Sequence, residues 1–203
     1  MFHVKQPFIY LTLPGWLNSG PDHWQSHWEE AFGDQRVDQA DWDQPLRGDW
    51  QIALQEHLLA KLEVAKVQNQ PEPKFVFIAH SLGCHLVCAW AKHSPLVRHV
   101  QAALLVAPPD LSLRSQVPPA LRSWSPPLMQ ALPFASYLVF SSDDPYASSE
   151  SSQDMALAWG CARCIDMGAC GHLNAASELG YWEQGRQWLD ELVLGTPHTQ
   201  GVV

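Results

Sequence analysis

Short apolar runs of strand length alternate along the chain with longer stretches in which apolar residues recur every three or four positions. Phe8-Ile9-Tyr10-Leu11-Thr12-Leu13 is a run that stops at Pro14-Gly15, the pattern of a buried strand entering a turn. From Gly20 to Phe32, Trp24, Trp28, Ala31 and Phe32 fall at helical spacing, with Asp22 placed to cap the first turn; this predicts an amphipathic helix. Gln35 to Ala40 reads as a weaker second strand. Trp50, Leu54, Leu58, Leu62 and Ala65 share one helical face, so Asp49 to about Val67 is predicted helical, with Pro71 and Pro73 beyond its end.

Phe75-Val76-Phe77-Ile78-Ala79 is the clearest strand. It runs directly into His80-Ser81-Leu82-Gly83 and a helix through about Ala91. Val100 to Val106 is a further strand ending at Pro108-Pro109. Residues 108–133 carry seven of the sixteen prolines and read as an irregular excursion with at most a short helix. Tyr137 to Phe140 predicts a strand, Ser148 to Trp159 a helix, Cys161 to Met167 a strand and Glu178 to Leu194 a final helix. Residues 195–203 are expected to fray. This alternation predicts a three-layer α/β sandwich, with a mainly parallel central sheet and helices on both faces, in a single domain over residues 1–203. In such sheets ligands bind beyond the carboxyl ends of the strands.

Composition narrows the choice of partner. The 203 residues are 46% hydrophobic and 16% charged, with a net charge of −9. That balance suits a packed core, and an acidic surface disfavours nucleic acid and anionic membranes. No stretch approaches the length of a membrane span, and Met1 to Tyr10 lack the pattern of a secretory signal. Five cysteines are then expected to be reduced thiols in the cytoplasm. Ten Trp are many for a domain of this size; Trp16, Trp24, Trp28 and Trp42 are expected to line a substrate pocket.

The candidate chemistry sits at strand ends. Ala79-His80-Ser81-Leu82-Gly83 lies between strand and helix, the context of a nucleophile elbow, in which a tight reversal lifts a serine hydroxyl above the sheet. Ala79 stands where the usual pattern has glycine. A serine hydroxyl needs a base. Of ten histidines only His172 and His198 lie well downstream, and His198 falls in the tail. His172 follows the last strand in Gly168-Ala169-Cys170-Gly171-His172. Between Ser81 and His172, Ser141-Ser142-Asp143-Asp144-Pro145 ends a strand with two carboxylates, so the chain order is Ser, Asp, His. Pro145 restricts the backbone of Asp144, which favours it over Asp143 as the orienting acid. His80 is expected beneath the site, since adjacent residues on a sharp turn point apart. The N–H groups of Leu82 and Trp16 are the expected oxyanion donors.

Other readings carry less. Cys161 and Cys164 have C-x-x-C spacing but fall within a strand, where alternation puts them on opposite faces, so no zinc site is expected; the pair does not lie at a helix start, so neither is a thioredoxin-like redox role. His23 and His27 are one helical turn apart, but Trp24 stands where a metalloprotease has its glutamate. No metal or cofactor is expected. A non-catalytic binding module on the same fold stays open.

Pro14-Gly15-Trp16, Asp22-His23-Trp24-Gln25-Ser26-His27-Trp28-Glu29, Ala79-His80-Ser81-Leu82-Gly83, Asp143-Asp144-Pro145-Tyr146 and Gly171-His172 together resemble the small serine hydrolases that include retinoblastoma-binding protein 9 and its bacterial relatives. The resemblance spans roughly Phe8 to Leu194. It implies a compact α/β-hydrolase with no large cap, a triad of Ser81, His172 and Asp144 (the Asp directly before Pro), and hydrolysis of small carboxylic esters or related acyl substrates. A peptidase or thioesterase would use the same triad through an acyl-enzyme. The resemblance does not settle a substrate or an oligomeric state.

Overall fold

The computed structural model describes residues 8–195; the rest of the expected tail, with His198, and the first seven residues lie outside them. Six strands run in the order β1 (Phe8–Leu13), β2 (Gln35–Arg36), β3 (Lys74–His80), β4 (Val100–Val106), β5 (Ala135–Phe140) and β6 (Arg163–Asp166). They form one all-parallel sheet ordered β2-β1-β3-β4-β5-β6. Between and after them come α1 (Trp24–Phe32), α2 (Arg47–Val67), α3 (Leu82–Ala91), α4 (Ser149–Trp159) and α5 (Glu183–Leu194).

Side-chain alternation along the strands divides the core into two layers. Phe75, Phe77 and Ala79 of β3 face one side with Trp50, Leu54 and Leu58 of α2, most of α3, and Met155 and Trp159 of α4. Val76 and Ile78 face the other, with Trp24 and Trp28 of α1 and Trp188, Leu189 and Leu192 of α5. A strand buried on both faces has no polar side to show, which is why β3 reads as an unbroken apolar run. The Ala79 methyl is fully buried in the first of these layers, so the sheet accommodates the departure from glycine.

Several boundaries differ from the sequence reading. The cap of α1 is His23, whose Nδ1 accepts from the Gln25 N–H at 3.1 Å; Asp22 lies one residue too early and is exposed. β2 is only two residues long, and β6 is shorter than Cys161 to Met167. α5 starts at Glu183 rather than Glu178, because Glu178, Gly180 and Trp182 all take positive φ, which no helix tolerates.

The order of strands places the site. The chain leaves β1 toward β2 on one side, whereas β3 pairs on the other and continues to β4. The carboxyl ends of β1 and β3 thus flank the point where the winding reverses. Gly83 lets α3 begin there: a Cβ on it would stand 2.1 Å from the Leu13 carbonyl oxygen, so no larger residue fits without moving β1.

Candidate active site

Ser81 joins β3 to α3 with φ 53° and ψ −121°, a conformation that costs an L-residue about 1–3 kcal/mol. Its neighbours hold it there. The Ser81 N–H donates to the Val106 carbonyl at 2.8 Å, and the Cys84 N–H donates to the Ser81 carbonyl at 3.0 Å. The strained turn lifts the hydroxyl to the wall of a cavity of about 410 Å³.

His172 lies in the loop after β6, and its Nε2 is 2.9 Å from Ser81 Oγ. Its Nδ1 is 2.8 Å from Asp144 Oδ2 and 3.1 Å from Oδ1. The side chains of His172 and Asp144 are 10% and 2% exposed. With Nδ1–H donating to the carboxylate, the Nε2 lone pair is free to accept from the serine hydroxyl. Asp144 Oδ1 also accepts from the Tyr146 N–H at 2.8 Å, an Asx turn across the Pro145 that follows it.

Asp143 points elsewhere. Its Oδ1 accepts from the Gly171 N–H at 2.7 Å and lies 2.7 Å from Ser141 Oγ. Hydrogen bonds from Ser141 and the Gly171 backbone hold its carboxyl below the usual range. The buried Ser141 hydroxyl also accepts from the Cys170 N–H and has the Gly168 carbonyl within reach, both at 2.9 Å. Two side chains at the end of β5 thus anchor the loop that carries His172.

The far side of that loop is anchored by side chains the sequence placed in a pocket. Trp24 and Trp28 are 1% and 0% exposed and do not line the cavity. They form a cluster with Trp182, with ring centroids 4.9–5.9 Å apart. Trp24 Nε1 donates to the Leu173 carbonyl at 2.9 Å, and Trp28 Nε1 to the Tyr181 carbonyl at 2.6 Å. Both sit on the inner face of α1, so period 3.6 sends them to the core. Trp42 is also absent from the lining: its ring packs edge-on against Trp50. Its carbonyl accepts from the Leu17 N–H at 3.2 Å, which braces the turn after β1.

Of the four expected tryptophans, Trp16 alone lines the cavity. Gly15 presses against the serine: a Cβ there would meet Ser81 Cβ at 2.7 Å and Oγ at 3.1 Å. This approach brings the backbone of residues 15 and 16 beside the hydroxyl. Among the described residues the Trp16 and Leu82 N–H groups have no protein acceptor, and Leu82 opens α3, where such groups are left over. Fixed N–H donors beside a nucleophile can stabilise an oxyanion.

Two histidines underlie the site as neutral rings. Burial, with His23 and His172 nearby, holds His80 well below the usual histidine range. Burial and the charge of Arg36 push His23 down to about 3. The rings of His23, His80 and His172 follow one another at 4.7 and 5.0 Å.

The segment after β4 forms one wall through Leu111, Val117 and Leu121, and Tyr146 forms part of the rim. His85 fixes the start of this wall, its Nε2 lying 2.8 Å from the Pro109 carbonyl. The irregular, proline-rich sequence gave no periodicity from which these inward positions could be read. Among the described residues no group of His, Cys, Asp and Glu is arranged to hold a metal, and no helix is long and apolar enough to cross a membrane.

Known structures share this architecture. A YdeN-like hydrolase of Pectobacterium atrosepticum is 25% identical, with a TM-score of 0.76 over 94% of each chain. The ydeN gene product of B. subtilis is 18% identical, with a TM-score of 0.66 over 92% of this chain and 98% of its own. The carboxylesterase CesB of Bacillus subtilis, 12% identical, shares the fold with a TM-score of 0.57 over 96% of this chain and 86% of its own. No curated protein matches the chain. The α/β-hydrolase fold is common to all of these, and the model of the serine hydrolase family matches residues 10–191; the chain belongs to that family.

Proposed function

We propose that this serine hydrolase cleaves small carboxylic esters through an acyl-enzyme on Ser81. The observation that carries the reading is the unbroken hydrogen-bonded chain from Ser81 Oγ through His172 to Asp144, at a strained turn on a cavity wall. His172 Nε2 takes the hydroxyl proton as Ser81 Oγ bonds to the ester carbonyl carbon. The carbonyl oxygen, now negative, is met by the N–H groups of Leu82 and Trp16. The C–O bond to the alcohol breaks as His172 returns the proton to the leaving oxygen. Water then repeats the sequence on the acyl-serine, releasing the acid and restoring the hydroxyl. Asp144 keeps the imidazole in the tautomer that can accept, and stabilises the imidazolium. No cofactor takes part in these steps. A cytoplasmic location belongs to the same reading, supported by the five free thiols, since reducing compartments keep cysteines unpaired.

The esterases among the structural neighbours support the substrate class. The test is treatment with a fluorophosphonate followed by peptide mass spectrometry, beside a screen of p-nitrophenyl esters. An adduct on Ser81, with turnover abolished in Ser81→Ala, is the expected result. A folded protein that takes no adduct, or takes it elsewhere, overturns the reading and leaves a binding module on the hydrolase fold.

A further inference from the structure

The cavity beside Ser81 has an uneven charge. Among the described residues no lysine or arginine lines it. Two of its three histidines, His23 and His80, are kept neutral by burial; the third is His172. Asp110, an exposed acidic residue, is among those that line it. Partial burial would raise its pKa, but hydrogen bonds from Ser112, whose N–H is 2.9 Å from Oδ1, and from Ser151 outweigh burial and hold it below the usual range. The residues around the cavity therefore include a charged carboxylate and no lysine or arginine to balance it.

The position of that charge is fixed relative to the reaction. The Asp110 N–H donates to the Tyr146 carbonyl at 2.8 Å. The Tyr146 ring meets the His172 ring edge-on at 4.6 Å and is otherwise exposed. His172 is the group that would hand a proton to the departing alcohol, so the Tyr146 ring stands beside the leaving group, with Asp110 tied to Tyr146 through the backbone. An aromatic ring and a carboxylate on one rim attract a cation by the ring quadrupole and by Coulomb's law together. A phosphate or carboxylate at the same place would meet repulsion from Asp110, with no basic side chain on the cavity wall to offset it.

Building on the esterase reading, we propose that the preferred substrates are esters whose alcohol portion carries a positive charge, held at the rim by Asp110 and Tyr146. The experiment compares three butyrate esters of similar size: choline butyrate, its uncharged carbon isostere 3,3-dimethylbutyl butyrate, and the anionic 2-sulfoethyl butyrate. In low salt, kcat/KM should favour the choline ester over the isostere by about tenfold, with the sulfoethyl ester slowest. The preference should shrink as ionic strength rises. In Asp110→Asn, which keeps an oxygen to accept from Ser112, the ratio of the first two should fall to near one. Equal kcat/KM for the choline ester and its isostere in the native protein overturns the inference while leaving the esterase reading intact. So does a preference that survives Asp110→Asn. Failure to turn over any of the three, with no fluorophosphonate adduct on Ser81, overturns the esterase reading and this inference together.

Discussion

His80, the residue next to Ser81, donates from Nε2 to the main-chain carbonyl of His172 at 2.9 Å. The neighbour of the proposed nucleophile thus holds the backbone of the proposed base, so the strand end and the loop cannot drift apart without breaking this bond. The bond needs a proton on Nε2, and because burial keeps the ring neutral, that is its one ring proton.

His80→Ala should therefore lower kcat for ester turnover by about 10²-fold, the cost of roughly an ångström of misplacement, with little change in KM. His80→Gln, which retains an N–H donor of similar reach, should recover part of the loss. Steady-state kinetics on variants with matched circular dichroism checks this. Equal activity in the alanine and glutamine variants would show that the bond does not position His172.

Gly15 tests the turn after β1. A methyl there would stand 2.7 Å from Ser81 Cβ and 3.3 Å from the His80 carbonyl oxygen at the end of β3, so the turn must shift slightly, and the protein should fold and lose about 1–3 kcal/mol from local overpacking. Gly15→Ala should nonetheless lose fluorophosphonate reactivity by about 10²-fold, because the displaced groups are the nucleophile and the adjacent N–H. Labelling rates and thermal melts on the same preparation separate the two effects.

The sequence exposed the sheet and the three side chains of the proposed triad for a physical reason. Strands buried on both faces must be apolar, and the chemistry sits where those runs stop: Ser81 after β3, Asp144 after β5, His172 after β6. The pocket was not legible in the same way. Trp24 and Trp28 have the size and position for a pocket wall, but they sit on the inner face of α1 and bury against Trp182. The actual wall comes from Leu111, Val117 and Leu121, in a segment whose prolines erase any period. The anchoring by Ser141 was equally hidden. A serine at a strand end reads as a turn residue, and its contacts to residues 168 and 170 span 27 and 29 positions in the chain.

Buried neutral histidines make stability depend on pH. His23 is pushed down to about 3 and His85 to about 4, both chiefly by burial, and His80 also lies well below its usual value. Unfolding restores values near ~6.5, so below that pH the unfolded chain binds protons that the folded one refuses. The stability held by these rings is complete above ~6.5 and is lost as pH falls toward 4 and 3. Each ring contributes up to about 1.4 kcal/mol per pH unit in that window. Asp34 opposes them: burial raises its carboxyl to about 6 despite Arg186, so its contribution declines as pH rises from ~4 to ~6. Three rings outweigh one carboxyl, and Tm should fall steeply from pH 6.5 to 4.5. His85→Gln should flatten the slope by about one proton. A Tm independent of pH over this range would contradict the assignment of neutral rings.

The adjacent carboxylates Asp143 and Asp144 have separate tasks, and isosteric amides distinguish them. Asp143 Oδ1 accepts from the Gly171 N–H and lies against the Ser141 hydroxyl. In Asp143→Asn an amide oxygen can still take that place, so the loop should stay anchored and kcat should fall by about tenfold or less. Asp144 receives Nδ1–H of His172 on a nearly buried carboxylate. In Asp144→Asn the amide either presents its NH₂, which forces the proton from Nδ1 to Nε2 and removes the acceptor for the serine, or presents its oxygen without the charge that stabilises an imidazolium. Loss of this group in a serine protease costs on the order of 10⁴ in turnover, and a comparable fall is expected here. The Tyr146 N–H can still donate to the Asn oxygen in the first orientation, with the NH₂ in the place of Oδ2 facing His172, so folding should survive. Measuring kcat for both variants at matched Tm decides the matter. A larger loss in Asp143→Asn than in Asp144→Asn would reverse the two roles.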